Sequence, residues 1–480
     1  MSDSHFISRG ALINMGGNLA RSIVSLLNIL LPRVFSQTTF GMFLTLQSFV
    51  YATSTLVGLG LNQGMTWWIP RLKAENRFSP STVWNGLWIV LAFSSLIVIC
   101  AALSFGLFHD ILPKTLQEIP VIFLIICITA IPAHVALLYA CGCLLGVRKP
   151  EYSAIYAQFL SISLVTVIAL MLSLTNLSNA LAWSLLIATW LCAGIVIYHL
   201  RQHIPPEPLQ RLHLVDKRLL AYSLPVAFYN TVLNALGRID LWIVFAILGS
   251  AKAAQYGIML MLAGGIIPVR QSYASLIVPV VSGMDRNTLR SKLREIFSYT
   301  IDMVSMIQFA IAFAMFFFPR ELLSIAGTQY SVDTMPFLIL IMRFLITGYS
   351  GLSAQVILGM GKSSILFWTD LAILAFAIIM NCLFIPEFGL RGAALSMLIA
   401  IVIQGVMYVT IQTCIVGQWM VKPHVMLNFV WMAVVISGTF IMQSSIAALP
   451  FLQRIAIFLV AMLFYALWVW RNRQRLRPRQ

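Results

Sequence analysis

The sequence predicts an all-α polytopic membrane protein of about 14 transmembrane helices, arranged as two pseudo-symmetric six-helix lobes followed by a C-terminal helix pair. Three observations predict it. Charged side chains make up 10% of the 480 residues and hydrophobic ones 60%, against roughly a quarter charged in soluble chains, which excludes a water-soluble protein. Apolar windows of about 20 residues, each long enough to cross a hydrocarbon core as a helix, recur from Ala11 nearly to the C-terminus; a β-barrel would show short alternating segments instead. Polar landmarks of the first half of the chain return in the second.

Breaks at charged or Pro/Gly/Asn-rich stretches give spans at 12–33, 41–68, 84–107, 121–146, 154–174, 180–199, 219–248, 257–282, 297–318, 334–358, 364–385, 391–416, 425–447 and 452–470. Asn14, Arg21 and Asn28 interrupt the first window, and no small-residue cleavage site follows, so it reads as a span and not as a cleaved signal peptide. Residues 1–200 form the N-terminal lobe, 201–218 a cytoplasmic linker with Pro205, Pro206 and Pro208, and 219–416 the C-terminal lobe. Residues 425–470 form the extra pair and 471–480 a basic cytoplasmic tail.

Orientation follows from the basic residues, because cytoplasmic loops hold the excess of Lys and Arg. With the N-terminus inside, 21 of the 31 fall on the cytoplasmic side, including Arg71, Lys73 and Arg77, the linker, and the five arginines of the tail. Both termini are therefore expected in the cytoplasm. The net charge of +16 reads as this topology signal plus attraction to anionic membrane lipids, not as nucleic-acid binding. All seven cysteines lie within spans, with no CxxC or His spacing suited to a metal, so free thiols and no metal or other cofactor are expected. No P-loop, GxSxG or HExxH occurs, which argues against an ATP-driven pump or a hydrolase and for a protein that is not an enzyme.

The repeat appears at an offset of 216 residues: Asn14 falls on Asn230, Asn18 on Asn234, and Phe40-Gly41-Met42-Phe43 on Tyr256-Gly257-Ile258-Met259. Six spans per copy is even, so both copies enter from the same side and are related by an axis along the membrane normal.

The first span carries Asn14, Asn18, Arg21, Ser25 and Asn28 on one helical face. Helix–helix hydrogen bonding is one reading of the amides; a cavity lining is the other. A buried Arg in a span costs about 2.5–3.5 kcal/mol on insertion scales and so faces a bundle interior or water. Span seven carries Asn230, Asn234, Arg238 and Asp240, with its arginine one residue from the position equivalent to Arg21. Arg270, beside Pro268, is a third cavity arginine or an interfacial snorkeller. Unneutralised guanidinium groups select anions, phosphate oxygens above all. The carboxylates within spans, Asp240, Asp302 and Asp370, read as counter-ions for Arg343 and Arg238 or as a coupling site for H⁺ or Na⁺. His134 reads as a packed polar residue.

The motif Ile357-Leu358-Gly359-Met360-Gly361-Lys362, followed by Asn381-Cys382-Leu383-Phe384-Ile385-Pro386-Glu387-Phe388-Gly389-Leu390-Arg391-Gly392-Ala393-Ala394, resembles the signature of Wzx-type polysaccharide flippases of the multidrug/oligosaccharidyl-lipid/polysaccharide (MOP) exporter superfamily. Gly58-Leu59-Gly60-Leu61, Ser223-Leu224-Pro225 and the run from Asp240 to Gly257 agree. The resemblance implies a V-shaped two-lobed bundle in the bacterial inner membrane. Its cationic cavity would pass an undecaprenyl-diphosphate-linked oligosaccharide to the outer leaflet for O-antigen, exopolysaccharide or capsule synthesis. It also implies partners in the polysaccharide polymerase and chain-length machinery. A lipid II flippase, which shares the 14-span count, and a cation-coupled multidrug antiporter of the same superfamily are the alternatives; a membrane glycosyltransferase or polymerase is disfavoured by the short outer loops.

Overall fold

The computed structural model describes residues 27–108, 114–147, 149, 152–175, 177–206, 216–282, 286–421, 432, 434–435, 437–439 and 449–472. The described elements are helices, with no strand among them. Nine helices among the described residues are long and apolar enough to cross a membrane, the longest being two helices joined at a kink. Every predicted span except the first and the thirteenth is met by a described helix; those two lie largely outside the described residues.

By packing, Ile23–Gly257 forms one compact unit and the described residues from Ile258 onward form the other. In the first, the window read as one span at 41–68 is two helices, α1 (Gln37–Val57) and α2 (Leu61–Ala74). The break falls where Leu59 and Gly60 take left-handed backbone angles, φ 54° and 63°, which an α-helix cannot continue through. Ser36 caps α1, its hydroxyl accepting from the Thr39 amide at 3.2 Å. Next come α3 (Pro80–Phe108), α4 (Val121–Ile128), α5 (Ala130–Gly146), α6 (Ser161–Ser173) and α7 (Ala180–His203). Helix α5 is apolar all round and almost wholly buried, as a helix enclosed by others should be. It meets α2 closely enough for the Thr66 hydroxyl to donate to the Gly142 carbonyl at 3.1 Å, a small-residue contact typical of helix pairs in lipid. Helix α3 leaves Leu96, Ile99, Leu103 and Leu107 exposed, the surface a lipid-facing span requires.

Helix α8 (Lys217–Leu236) packs on α1 and α2, and α9 (Ile239–Leu248) follows after a turn at Gly237–Arg238. The single window predicted at 219–248 is thus also broken, and Arg238 stands at the break instead of in mid-helix. Then α10 (Ser250–Ala263) crosses α1 at Gly41. A Cβ on Gly41 would lie 1.8 Å from the Ser250 carbonyl oxygen, and one on Gly257 would lie 2.6 Å from the Leu44 side chain. The two repeat-equivalent glycines therefore sit on the two sides of one crossing.

The second unit contains α11 (Ile267–Ser282), α12 (Arg286–Phe317), α13 (Met335–Gly359), α14 (Ser363–Val416) and α15 (Phe451–Asn472). Helix α14 covers two predicted spans and turns back on itself at Gly389, with φ 57° and ψ −133°. Gly392 completes the reversal: a Cβ there would lie 2.1 Å from the Phe384 carbonyl oxygen. Arg391, at the corner, pairs with Asp333 at 2.9 Å, and the buried Asn381 donates to Ala377 O at 2.7 Å. The most specific motif in the sequence thus builds a helical hairpin. Helix α15 lies on α12, where the Tyr465 hydroxyl donates to Met306 O at 2.9 Å and the Phe458 ring packs 5.8 Å from that of Phe313.

Candidate functional site

The interior of the second unit holds a buried polar group that the sequence does not advertise as one. Asp370, on the first limb of α14, is fully buried. Its Oδ1 accepts from Gln404 Nε2 at 2.8 Å and from the Tyr408 hydroxyl, and Gln404 Nε2 also reaches Tyr408 at 3.1 Å. Gln404 and Tyr408 lie on the second limb, brought opposite Asp370 by the reversal at Gly389. Asp370 Oδ2 is equally buried and has no hydrogen-bond donor among the described residues. An ionised carboxylate held out of water costs several kcal/mol unless compensated, so this oxygen suits a proton or a small cation.

Arg270, on α11, lies near the same group. Its guanidinium packs against Gly351 of α13, where a Cβ would stand 2.2 Å from Nη1 and 2.9 Å from Cζ, and the adjacent Ser350 packs against Gly405, the residue after Gln404. Packing against an interior helix favours the inward-facing reading of Arg270 over the snorkelling one. Gly351→Ala is expected to displace the guanidinium while costing no more than about 1–3 kcal/mol of stability. Transport by that variant should fall as far as in Arg270→Ala with a small change in melting midpoint; full activity would separate Arg270 from the site.

The remaining predicted residues are more dispersed. Asp240 is fully buried with both oxygens engaged, by the Leu241 amide at 3.0 Å and the Tyr256 hydroxyl at 2.8 Å. Asp302 and Arg343 are both buried, on α12 and α13, and the Arg343 guanidinium lies 5.3 Å from the Phe344 ring. Arg238 and Asn234 are exposed. Asn230 donates to Gln63 Oε1 at 3.1 Å and Val226 O at 2.9 Å. Asn28 is buried and accepts from the Thr166 hydroxyl, which makes it an internal tie between helices. Asn14, Asn18 and Arg21 lie outside the described residues. His134 is buried and stacked on Tyr51, ring centroids 4.6 Å apart, as expected of a packed polar residue. Gln404 and Tyr408 are the site residues that the sequence reading missed. With Gln412 they recur every four residues on one buried face of α14, a polar ladder that spacing alone could have flagged.

Neither a protein-family model nor a curated protein sequence matches the chain. Solved structures do. The chain is similar to the lipid II flippase MurJ in an inward closed conformation, at 12% identity and a TM-score of 0.63, over 98% of this chain and 100% of that one. It is similar to an inward-facing multidrug resistance MATE family transporter of the MOP superfamily at 13% identity and a TM-score of 0.64, over 89% and 98%. A MOP superfamily transporter from Pyrococcus furiosus matches at 12% identity and a TM-score of 0.62, over 87% and 96%. These neighbours are transporters and flippases, not enzymes. The chain is a polytopic membrane protein with the fold that MATE transporters and MurJ share within the MOP superfamily.

Proposed function

We propose that the protein is a flippase that carries an undecaprenyl-diphosphate-linked oligosaccharide from the cytoplasmic to the outer leaflet of a bacterial inner membrane, with both termini in the cytoplasm. The observation that carries this reading over a drug antiporter is length. The match to the lipid II flippase runs over 98% of the chain, whereas those to MATE transporters run over 87% to 93%. In this mechanism Arg21, Arg238 and Arg270 compensate the diphosphate, since a guanidinium fork engages phosphate oxygens bidentately. The prenyl tail stays in lipid, and the lobes at 1–200 and 219–416 rock about the linker at 201–218 to expose the headgroup on the other side. Arg21→Ala combined with Arg238→Ala is expected to abolish surface polysaccharide and to leave the lipid-linked oligosaccharide on the cytoplasmic leaflet. Normal surface polysaccharide in a strain that expresses the variant well would sink the assignment.

A specific feature favours cation coupling as the driving force, whether the cargo is this lipid, lipid II or a drug: the donor-free carboxylate oxygen of Asp370. Asp370→Asn keeps the shape and removes the charge. It is expected to abolish the dependence of transport on a Na⁺ or H⁺ gradient, measured in vesicles with imposed gradients. Retention of that dependence would return Asp370 to a packing role.

A further inference from the structure

A cavity of about 250 Å³ opens beside the loop between α2 and α3, within the unit Ile23–Gly257. It lies under the 300–1,000 Å³ of ordinary ligand pockets, too small for an oligosaccharide of several rings. Its lining divides by chemistry. Trp68 with leucines of α2 and of the first turn of α8 supplies apolar lining, and Arg77, Ser81, Thr82, Asn85 and Asp216 supply polar lining.

Asn85 is 5% exposed, lines this cavity, and makes no hydrogen bond among the described residues. Its amide therefore has hydrogen-bonding capacity to offer in the cavity it lines. Arg77 is held only by an exposed 3.8 Å contact with Glu75; such pairs are worth little, so its fork is available to an anion. Asp216 accepts from the Arg218 amide at 2.8 Å, which leaves carboxylate lone pairs for a cation. An anion alone would be repelled by Asp216 and a cation alone by Arg77. A ligand carrying both charges satisfies both.

The surroundings fix the level in the membrane. Trp67 stacks on Trp68 and, 4.5 Å away, on Tyr222, with the Arg71 guanidinium 5.2 Å from its ring. Stacked aromatics mixed with basic residues at span ends form the belt that meets lipid headgroups.

We propose that this cavity binds a phosphoethanolamine group, its phosphate on Arg77, Ser81, Thr82 and Asn85 and its ammonium on Asp216. The aromatic belt makes a membrane lipid the expected source, with the acyl chains outside, and the cytoplasmic orientation proposed above makes its leaflet the inner one. Such a ligand would tie the first turn of α8 to α3, at the end of the interlobe linker.

The purified full chain is loaded with phosphatidylethanolamine, phosphatidylcholine or phosphatidylglycerol, and bound lipid is counted by native mass spectrometry. Retention of phosphatidylethanolamine is expected to exceed both others several-fold, because trimethylation removes the N–H donors facing Asp216 and phosphatidylglycerol has no ammonium. Asp216→Asn, which preserves the cap of α8, combined with Arg77→Gln should erase that preference, and Asn85→Ala should weaken it. In a parallel arm, soluble phosphoethanolamine is tested for a rise in melting midpoint. A rise that the double variant loses would support the same chemistry with a soluble source. Equal retention of the three lipids with no effect of soluble phosphoethanolamine overturns the proposal on the unmutated protein alone, whatever the variants do. A lipid preference unchanged in the double variant also overturns it.

Discussion

Gly41→Val is expected to lower the melting midpoint of the purified protein by several degrees. The added Cβ would meet backbone, not side chain: Ser250 O at 1.8 Å, Ser250 C at 2.7 Å and Ala254 N at 3.0 Å. No rotamer change relieves a contact with another helix's main chain, so α1 and α10 must move apart until ordinary packing distance is restored. Overpacking of this kind costs about 1–3 kcal/mol, and roughly 2–4 °C accompany each kcal/mol in a domain of this length. Separation would also stretch the 2.8 Å hydrogen bond from Trp242 Nε1 to Ser48 Oγ, which joins α9 to α1. Gly257→Ala supplies the contrast. Its Cβ meets the end of the flexible Leu44 side chain at 2.6 Å, so its cost should be clearly smaller. Equal midpoints for Gly41→Val and the unmutated chain would refute the close crossing.

Replacing both glycines of the α14 hairpin, Gly389→Ala with Gly392→Ala, is expected to be the more damaging change. Gly389 holds φ 57° with ψ −133°, a combination that costs an L-residue about 1–3 kcal/mol. At Gly392 a methyl group would sit 2.1 Å from the Phe384 carbonyl, adding about 1–3 kcal/mol of overpacking. The sites are neighbours and need not add exactly, but about 2–6 kcal/mol together is a large fraction of any domain's stability. The functional effect should exceed the folding one. Asp370 meets Gln404 and Tyr408 only because the two limbs of α14 lie antiparallel, so a shifted corner pulls the carboxylate from its donors. Thermal melting with an ion-dependent transport assay checks both effects; wild-type values in each would show that the corner tolerates side chains.

The spans were legible because lipid imposes one rule: every crossing needs about 20 apolar residues with its backbone satisfied internally. The breaks within them were less so. Leu59 adopts a positive φ and Arg238 begins a new helix in windows that stay apolar overall, since a polar residue within a span can line the bundle as readily as mark a turn. At the polar site the sequence pointed to Asp370 and Arg270 but not to what surrounds them. Gln404 is 34 residues from Asp370, and their meeting depends on the angle at Gly389, which composition does not encode. Asn28 carried a stripe pattern compatible with either cavity or glue, and only the Thr166 hydroxyl decided it. The motif from Asn381 to Ala394 was readable as a family mark, but its glycines turn out to serve chain reversal.

The crossing at Gly41 and Gly257 sets unequal limits on the two helices that form it. Gly41 is confined by the main chain of another helix at Ser250 and Ala254, whereas Gly257 is confined only by a leucine side chain that can turn aside. A library of substitutions at the two positions should therefore return glycine alone at 41 and accept alanine or serine at 257, so that one crossing carries one fixed and one adjustable position.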